Sequence, residues 1–476
     1  MSYHHPEIML VIKNVEDLYN EISRISMFAP EKLEEFFEKN LAKSNESIVQ
    51  NIFIRAVKQR RIKIIHFLLS KNIKIQIFNE YNQTAIHLAA LQGYLEIIDE
   101  LFTNCNNDIN FTDVNGLSHF HIACMIGNFN LVKKFIDQGI NVDLGTFLEN
   151  ESNYYTALHL AVKYLQVDVV ELLLKNRADP NAVDDSGNTP LHLACIGYNN
   201  QINFLKKRQI FHGDMITAYS TEDENELEII KLLVKHGSNV NAKDRFGNTP
   251  LLLIFKSNVE DHLISRIQPL YIWTYNGKRN MITDFRKSQK KKLEYLLKNR
   301  ADAEVRNKAE DTVLHLTIDQ FKTLRLPQCL LDIDFDDRII VDMIRLILEN
   351  GVTSVNTVNE HGETPLQRAI SFLSLDAVLV FIQYGADVAD VRFDSSDGVS
   401  CFRYFPDVLP CLEAVENLLK IIEVLEGNGF RMSSNDDLAV LKFLIDNNKN
   451  CQYDCRLDNN RIFKMKNLLE LGEYKF

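Results

Sequence analysis

The hexapeptide Thr189-Pro190-Leu191-His192-Leu193-Ala194 is the clearest copy of a motif that determines how this chain folds. The same pattern recurs along the chain, with copies that begin at Thr84, Ser118, Thr156, Thr249, Thr312 and Thr364. Successive copies are 34, 38, 33, 60, 63 and 52 residues apart. Because the short intervals cluster near 33 residues, the long intervals indicate insertions into a repeat of about that length.

Each copy predicts one short helix and is followed by a second apolar segment. Thr189 is a good N-cap residue, and Pro190 then falls at the first helical position, where its missing N–H costs nothing. The second segment is Val169–Leu174 in one repeat and Ile229–Val234 in the next. Neither helix can bury its apolar face alone, so neighbouring repeats must stack.

This pattern resembles the ankyrin repeat family. The resemblance covers about residues 46–390 and implies an all-α solenoid of seven or eight helix-turn-helix units with β-turn fingers. A degenerate first repeat is predicted at Asn51–Phe78. Three domains are expected: an N-terminal helical cap at 1–45, the ankyrin repeat solenoid at 46–390, and a C-terminal helical region at 391–476. Inserts are expected near 198–225, 257–288 and 319–338.

The family pattern also implies structural roles for the motif positions that recur in each repeat. One histidine per repeat would hydrogen-bond between adjacent turns, although a metal or catalytic role is the alternative. Glycines before the motif suit turns that need a positive φ angle. The structural motif residues are Thr84, His87, His121, Thr156, His159, Gly187, Thr189, Pro190, His192, Gly247, Thr249, His315, Gly362 and Thr364. Cys124 and Cys195 follow the motif alanine and are predicted to lie in the core.

The second insert is unusual in composition. Leu270–Tyr275 has strand-like residues, and Asn276-Gly277 follows, which together predict a small β-hairpin in the insert. Trp273 is the single tryptophan. Residues 278–292 carry seven Lys or Arg and one acidic residue. Aromatic and basic side chains together can bind nucleic acid, whereas the alternative is an aromatic packing contact beside a solvated basic face.

The C-terminal region is predicted to be helical rather than repetitive. Leu412–Leu425 has helical periodicity, and further helices are expected at 436–446 and 460–471. Phe405–Pro410 precedes the first helix and is similar to the start of the F-box-like C-termini of some ankyrin proteins. The alternatives are therefore a helical cap and a segment that recruits a ubiquitin ligase. Cys451 and Cys455 lack the further ligands that a zinc site needs.

Composition narrows the function. The 476 residues carry a net charge of -12 with 46% hydrophobic residues, which indicates a folded chain and argues against a dedicated nucleic-acid binder. No transmembrane segment or secretory signal is recognised, so an intracellular protein, cytoplasmic or nuclear, is expected. No phosphate loop, dinucleotide fingerprint or catalytic elbow is present, so we expect no enzyme, no cofactor and no metal.

The ankyrin resemblance implies that a protein partner binds the concave face, which makes a non-enzymatic scaffold or inhibitor the first hypothesis, with the chain as a monomer. An adaptor for a cullin-type ubiquitin ligase is the second hypothesis, and a nucleic-acid regulator acting through 278–292 is the third. The expected partner-binding residues on the concave face and inserts are Tyr81, Asn82, Asn115, Tyr164, Asp185, Tyr198, Arg245, Phe246, Trp273, Tyr275 and His361.

Overall fold

The fold is seen in a computed structural model, which describes most of the chain. The described residues are 16–24, 26, 32–40, 46–71, 79, 81–104, 110–148, 151–197, 215–256, 275–321, 338–350, 354–393, 411–437, 439–440 and 443. The chain forms two compact units, Met1–Ile254 and Phe255–Phe476. Both units are helical, as the repeat pattern predicts.

The first unit contains successive helix pairs and one hairpin. Its helices are α1 (Leu33–Asn40), α2 (Glu46–Lys58), α3 (Ile62–Ser70), α4 (Ala85–Leu91), α5 (Leu95–Asn104), α6 (His119–Ile126), α7 (Phe129–Asp137), α8 (Ala157–Lys163), α9 (Val167–Lys175), α10 (Pro190–Ile196), α11 (Met215–Lys235) and α12 (Pro250–Leu253). Its strands are β1 (Gly145–Leu148) and β2 (Glu151–Thr156). Each pair is one repeat, and α2 with α3 forms the degenerate repeat predicted at the start of the array.

The second unit continues the same arrangement. Its helices are α13 (Tyr275–Lys298), α14 (Val313–Ile318), α15 (Arg338–Glu349), α16 (Pro365–Ser371), α17 (Leu375–Gln383) and α18 (Cys411–Gly427), with a 3-10 turn at Asp319–Phe321 after α14. No helix in the described part of the chain is long and apolar enough to cross a bilayer.

The first helix of each repeat packs on the first helix of the next. In Met1–Ile254 the stack runs α2, α4, α6, α8, α10 and α12, and second helices pack alongside, α7 on α9 and α9 on α11. The motif leucines fill the space between layers, because Leu158 and Leu191 are completely buried. Each repeat therefore buries its apolar residues against its neighbours rather than within itself.

Two N-terminal helical segments contact the first repeat. Residues 16–24 are helical, and Tyr19 donates a hydrogen bond from its hydroxyl to Oε1 of Gln59, in the turn between α2 and α3 (2.9 Å). Phe37 of α1 meets Phe67 of α3 edge to face, with centroids 5.6 Å apart. The apolar face of the first repeat is thus packed rather than open.

The hairpin lies in a different place from the one predicted. Strands β1 and β2 pair antiparallel, with Phe147 opposite Tyr154, in the 38-residue interval between two motif copies. The hairpin prediction at 270–277 was wrong in its second half, since Tyr275, Asn276 and Gly277 form the first turn of α13. The strand-like residues before Tyr275, Trp273 among them, lie outside the described residues.

The inserts are partly helical. Helix α11 begins at Met215 and α13 begins at Tyr275, so the final parts of the first two inserts extend the second helix of their repeats. A helix that is already stabilised by packing can extend towards its N-terminus, because each added residue gains one hydrogen bond without the cost of nucleating a new helix. Residues 198–214, 257–274 and 322–337 of the predicted inserts lie outside the described residues.

The C-terminal helix has the ending of a repeat helix, which the sequence pattern did not indicate. In the repeat before α10, the N–H groups of Arg177 and Ala178 donate to the carbonyls of Leu174 and Leu173 (3.1 and 3.0 Å). At the end of α18 the N–H groups of Gly429 and Phe430 make the same pair of bonds, to Glu426 and Leu425 (3.1 and 3.0 Å).

Helix α18 also packs against α17, as second helices do elsewhere in the chain. It therefore occupies the place of a further second helix. A short helical stretch, 434–437, follows it, whereas the helix predicted at 460–471, the segment Phe405–Pro410 and both Cys451 and Cys455 lie outside the described residues.

Candidate protein-interaction surface

The motif threonine and histidine join each repeat to the next. Thr84 caps α4, and its backbone N–H donates to Nδ1 of His87 (3.1 Å) while its hydroxyl lies 2.8 Å from the same nitrogen. Nε2 of His87 then lies 2.9 Å from the carbonyl of Leu117 in the following turn. Because Nδ1 accepts the amide proton, Nε2 carries the ring proton and donates it to that carbonyl.

The same connection recurs at every motif histidine, so the inter-repeat role is confirmed. The acceptor carbonyls are Leu144 for His121 (2.9 Å), Asn188 for His159 (3.1 Å), Asn248 for His192 (3.2 Å) and Glu363 for His315 (3.0 Å). Burial lowers the pKa of all five histidines, to about 4 for His121, His159 and His315, although the carbonyl bonds partly oppose the shift. Hydrogen bonds therefore occupy both ring nitrogens of each neutral histidine.

Two repeats depart from this pattern. Thr249 stands before Pro250 as predicted, but Leu252 occupies the histidine position, and the buried Thr249 hydroxyl has no hydrogen-bond partner. In the repeat of α16, Gln367 replaces histidine and bonds both the carbonyl and the N–H of Arg392 (2.7 and 3.0 Å). An amide side chain can thus make the inter-repeat connection in place of an imidazole.

The turn before each first helix, called a finger below, is shaped by one side chain. Asp184 and Asp244 each accept hydrogen bonds from the N–H groups two and four residues later, at 2.8 Å. Gly187 adopts φ +78°, and a Cβ there would approach the amide nitrogen of Arg245 to 3.0 Å. The predicted glycine turn is confirmed, and the close approach of the next finger is a second reason for glycine.

Backbone bonds connect neighbouring fingers of the first unit. The N–H of Val114 donates to the carbonyl of Tyr81, and that of Phe147 donates to Asn115, both at 3.1 Å. The N–H of Arg245 donates to Ser186 at 2.9 Å. Fingers joined through their backbones present side chains at fixed spacing, which reduces the ordering cost of binding a partner.

Large apolar side chains are exposed along these fingers. Their exposed fractions are 52% for Tyr81, 62% for Val114, 45% for Phe147, 56% for Val183 and 57% for Phe246. We call these five residues the finger row. Exposed aromatic and aliphatic side chains on one edge are typical of an interaction surface, whereas scattered single ones are ordinary.

Phe147, the member of the finger row that lies on the hairpin, is held by contacts with its neighbours. The rings of Phe147 and Tyr154 meet edge to face with centroids 5.2 Å apart. The Tyr154 ring covers Gly145 so closely that any side chain there would collide with it. The Tyr154 N–H donates to Oδ2 of Asp185 in the next finger (3.1 Å).

The structure exposes part of the predicted partner-binding set. Tyr81, Arg245, Phe246 and His361 are exposed at finger tips. Asn82 is also exposed, and its side-chain amide donates to the carbonyl of Thr112 (2.7 Å).

The other predicted finger residues, Asn115 and Asp185, are half-buried and connect fingers to each other. Tyr198 and Trp273 lie outside the described residues, and for Tyr275 only the helical backbone is described. Sequence reasoning missed Val114, Val183 and Phe147; for Phe147 the signal was the 38-residue interval, five residues longer than the interval that follows it.

The expectation of an exposed Tyr164 was wrong. Only 7% of Tyr164 is exposed, and only 2% of the preceding Lys163. Tyr164 closes α8 at its C-cap, where its N–H donates to Leu160 (2.9 Å), while Lys163 lies over the ring of Tyr155, 4.6 Å from the centroid. Both side chains are held inside the unit, so neither is available as a free contact residue.

The basic stretch at 278–292 is partly packed where its side chains are described, since Arg286 and Lys292 are buried while Lys287 and Lys291 are exposed. Arg286 and Lys292 are 3% and 4% exposed, and Nη2 of Arg286 donates to the carbonyl of Gln320 (3.3 Å). Lys290 pairs with Asp342 on α15 (2.8 Å). Packing within the unit therefore occupies three of the positive charges that a nucleic-acid strand would need.

Chemical sites of other kinds are not indicated in the described part of the chain. No group of three or more His, Cys, Asp or Glu residues there is arranged to hold a metal ion. Cys124 and Cys195 are buried, as predicted, and burial raises the pKa of the Cys124 thiol, which keeps it protonated.

Known proteins share this repeat. The family model for ankyrin repeats (3 copies) matches residues 27–113, 86–184 and 120–215. A putative ankyrin repeat protein of Acanthamoeba polyphaga mimivirus is 25% identical over 61% of this chain and 39% of its own length. The B-cell lymphoma 3 protein homolog of Mus musculus is 27% identical over 44% of this chain and 48% of its own.

Among solved structures, an ankyrin repeat domain from Acinetobacter baumannii AYE matches with a TM-score of 0.37 and 16% identity, over 56% of this chain and 98% of that one. The chain spans less than half the length of the two curated relatives. Residues 27–215 therefore match ankyrin repeats, a class of repeat that serves as a protein-interaction module.

Proposed function

We propose that this chain is a non-enzymatic scaffold or inhibitor that binds a protein partner along its finger row. The observation that supports this is the combination of five exposed apolar side chains with backbone bonds between fingers. Rigid aromatic anchors supply most of the binding energy in protein interfaces, and fixed positions limit the entropy cost.

Capture from a lysate, followed by mass spectrometry, tests the proposal. The test variant replaces Tyr81, Phe147 and Phe246 by serine in the full chain. The matched control replaces Phe129, which is 40% exposed on α7 away from the fingers. Wild type and control should retain the same protein, and the finger variant should lose it while its circular dichroism spectrum is unchanged. Equal retention by all three proteins would contradict the proposal.

An adaptor role remains the second candidate, in which the C-terminal region recruits a ubiquitin ligase. The packing of α18 on α17 and its repeat-like ending favour a cap over a separate recruiting segment. Substituting Leu409 and Pro410 by alanine in the full chain separates the two hypotheses. Loss of ligase subunits from the captured set would support the adaptor, and an unchanged set would support the cap.

The nucleic-acid hypothesis is the weakest of the three, because Arg286, Lys290 and Lys292 make contacts within the chain. Its signature would be a steep loss of binding with added salt, since each neutralised phosphate releases counterions. Absence of binding to a single-stranded oligonucleotide at low salt would end it.

A further inference from the structure

One junction between fingers contains a second histidine. In three other repeats the first helix begins with Pro190, Pro250 or Pro365, but α6 begins with His119. His119 is 3% exposed, and its Nε2 lies 2.9 Å from the hydroxyl of Thr84. The other motif threonines whose side chains meet a histidine do so with one imidazole each.

Thr84 therefore links two buried imidazoles. Its hydroxyl is 2.8 Å from Nδ1 of His87 and 2.9 Å from Nε2 of His119, and the two rings are tilted by 38° with centroids 4.9 Å apart. Phe102 and Phe111 meet the His119 ring edge to face at 5.5 Å. The titratable groups that face the pair are Asp113 in the finger and His121 in α6.

The number of N–H donors that meet a single hydroxyl oxygen makes this junction different from the others. A hydroxyl has one hydrogen to donate and two lone pairs. Where a threonine serves one imidazole, the hydroxyl can turn and accept from a newly protonated Nδ1. The Thr84 hydroxyl oxygen already accepts from the backbone N–H of His87 (3.5 Å), so two protonated rings would direct two further N–H donors at its one remaining lone pair. Two positive charges would also stand 4.9 Å apart at the N-terminal ends of two helices.

We propose that Thr84, His87 and His119 form an acid-sensitive latch, which opens with the uptake of two protons and separates the fingers bearing Tyr81 and Val114. The carboxylate of Asp113 favours protonation of His87, but it is already held by the N–H groups of Asn115 and Leu117 (2.9 and 2.8 Å). Acid therefore acts on this junction more steeply than on a junction with one histidine.

The latch can be tested without any partner, by amide hydrogen exchange of the full chain between about pH 4.5 and pH 6.5, where an unfolded histidine with a pKa of about 6.5 is at least half protonated. The opening free energy at Leu88 and Ile122 reports on the junction, and that at Leu193 is the internal control. The slope of this free energy with pH counts the protons taken up on opening.

The test variant is His119→Phe, which keeps an aromatic ring beside Phe102 and also keeps the N–H that donates to the carbonyl of Phe111 (3.0 Å). Proline would remove that donor and is unsuitable. The slope at Leu88 and Ile122 should fall by about one proton in the variant, with the slope at Leu193 unchanged. An unchanged slope at the junction would refute the latch.

A direct measurement in the wild-type protein covers the case in which the variant does not fold. Carbon-13 shifts of the histidine Cε1 atoms show each ring's charge while the protein is folded. His87 and His119 should not both become charged before the junction opens. Two fully protonated rings in the closed state would overturn the proposal.

The consequence for binding rests on the proposed function. If a partner occupies the finger row, acid should release it from wild type at a higher pH than from His119→Phe. If hydrogen exchange confirms the latch but the finger substitutions leave partner capture unchanged, the latch stands and the finger row is rejected as the binding surface.

Discussion

Replacement of Arg368 by methionine should destabilise the second unit more than any surface change. Arg368 stands on α16, and 5% of its side chain is exposed. Its guanidinium lies 3.1 Å from Asp311, 3.5 Å from Asp319 and 3.5 Å from Glu363, all largely buried carboxylates. One cation thus balances three anions brought together from two repeats.

The magnitude follows from these distances. At an effective dielectric constant of about 20, each pair attracts by about 5 kcal/mol, and removal of the cation leaves three carboxylates that repel one another. Desolvation of the arginine offsets part of this attraction in the wild type. Removing one partner of a buried charge pair costs about 3–5 kcal/mol in measured cases, and we expect Arg368→Met to fall in that range at pH 7.

Urea unfolding followed by circular dichroism measures the loss, with amide exchange around Ile370 to locate it in the repeat. Arg345→Met is the matched control, because Arg345 is exposed on α15 and its replacement should change stability by less than about 0.5 kcal/mol. A cost below about 1 kcal/mol at pH 7 would show that solvent screens the cluster and would refute the reasoning.

Other substitutions test single contacts. Thr249→Val should leave stability unchanged or raise it, because it removes a buried hydroxyl that has no hydrogen-bond partner. Thr189→Val should cost about 1 kcal/mol, because the Thr189 hydroxyl meets His192. Thermal melts of both variants would show whether the histidine partner matters. His159→Gln should make unfolding less sensitive to acid by about 2 kcal/mol between pH 7 and pH 5. The folded pKa of His159 is about 4, so its stabilisation is complete above about 6.5 and is lost as pH falls; a titration of stability with the same slope as wild type would contradict this. Tyr164→Ala should lower the melting temperature, while Tyr81→Ala should not, and equal melting temperatures would mean that Tyr164 contributes no packing.

The sequence alone was sufficient to predict the local structure that depends on residues close together in the chain. Thr189 and His192 are three residues apart, and their capping geometry follows from that spacing alone. The acceptor of His192, the carbonyl of Asn248, lies 56 residues away, yet it was predictable in kind because the repeat places one finger after another.

The sequence was insufficient where the environment overrides local preference. Asn276-Gly277 is a strong hairpin signal in the sequence, but in the structure these two residues lie in the first turn of α13. The later part of that helix, Phe285–Lys298, includes buried residues that pack within the unit. Tyr164 looks like an exposed residue by repeat register, and its burial depends on side chains from elsewhere in the unit. The positive run at 286–292 could not be assigned inward or outward, since its partners Gln320 and Asp342 come from distant segments.

The two departures from the repeat motif show how the fold tolerates substitution. Gln367 preserves the inter-repeat bonds with an amide, so the array continues to Arg392 and on to α18. Leu252 preserves nothing of that connection, and the Thr249 hydroxyl is left buried without a partner. Helix α12 there is only four residues long. Because an unsatisfied hydroxyl and a short helix both weaken local stability, the repeat at Thr249 should open before the repeats at Thr156 and Thr189, and the first unit should unfold from that end.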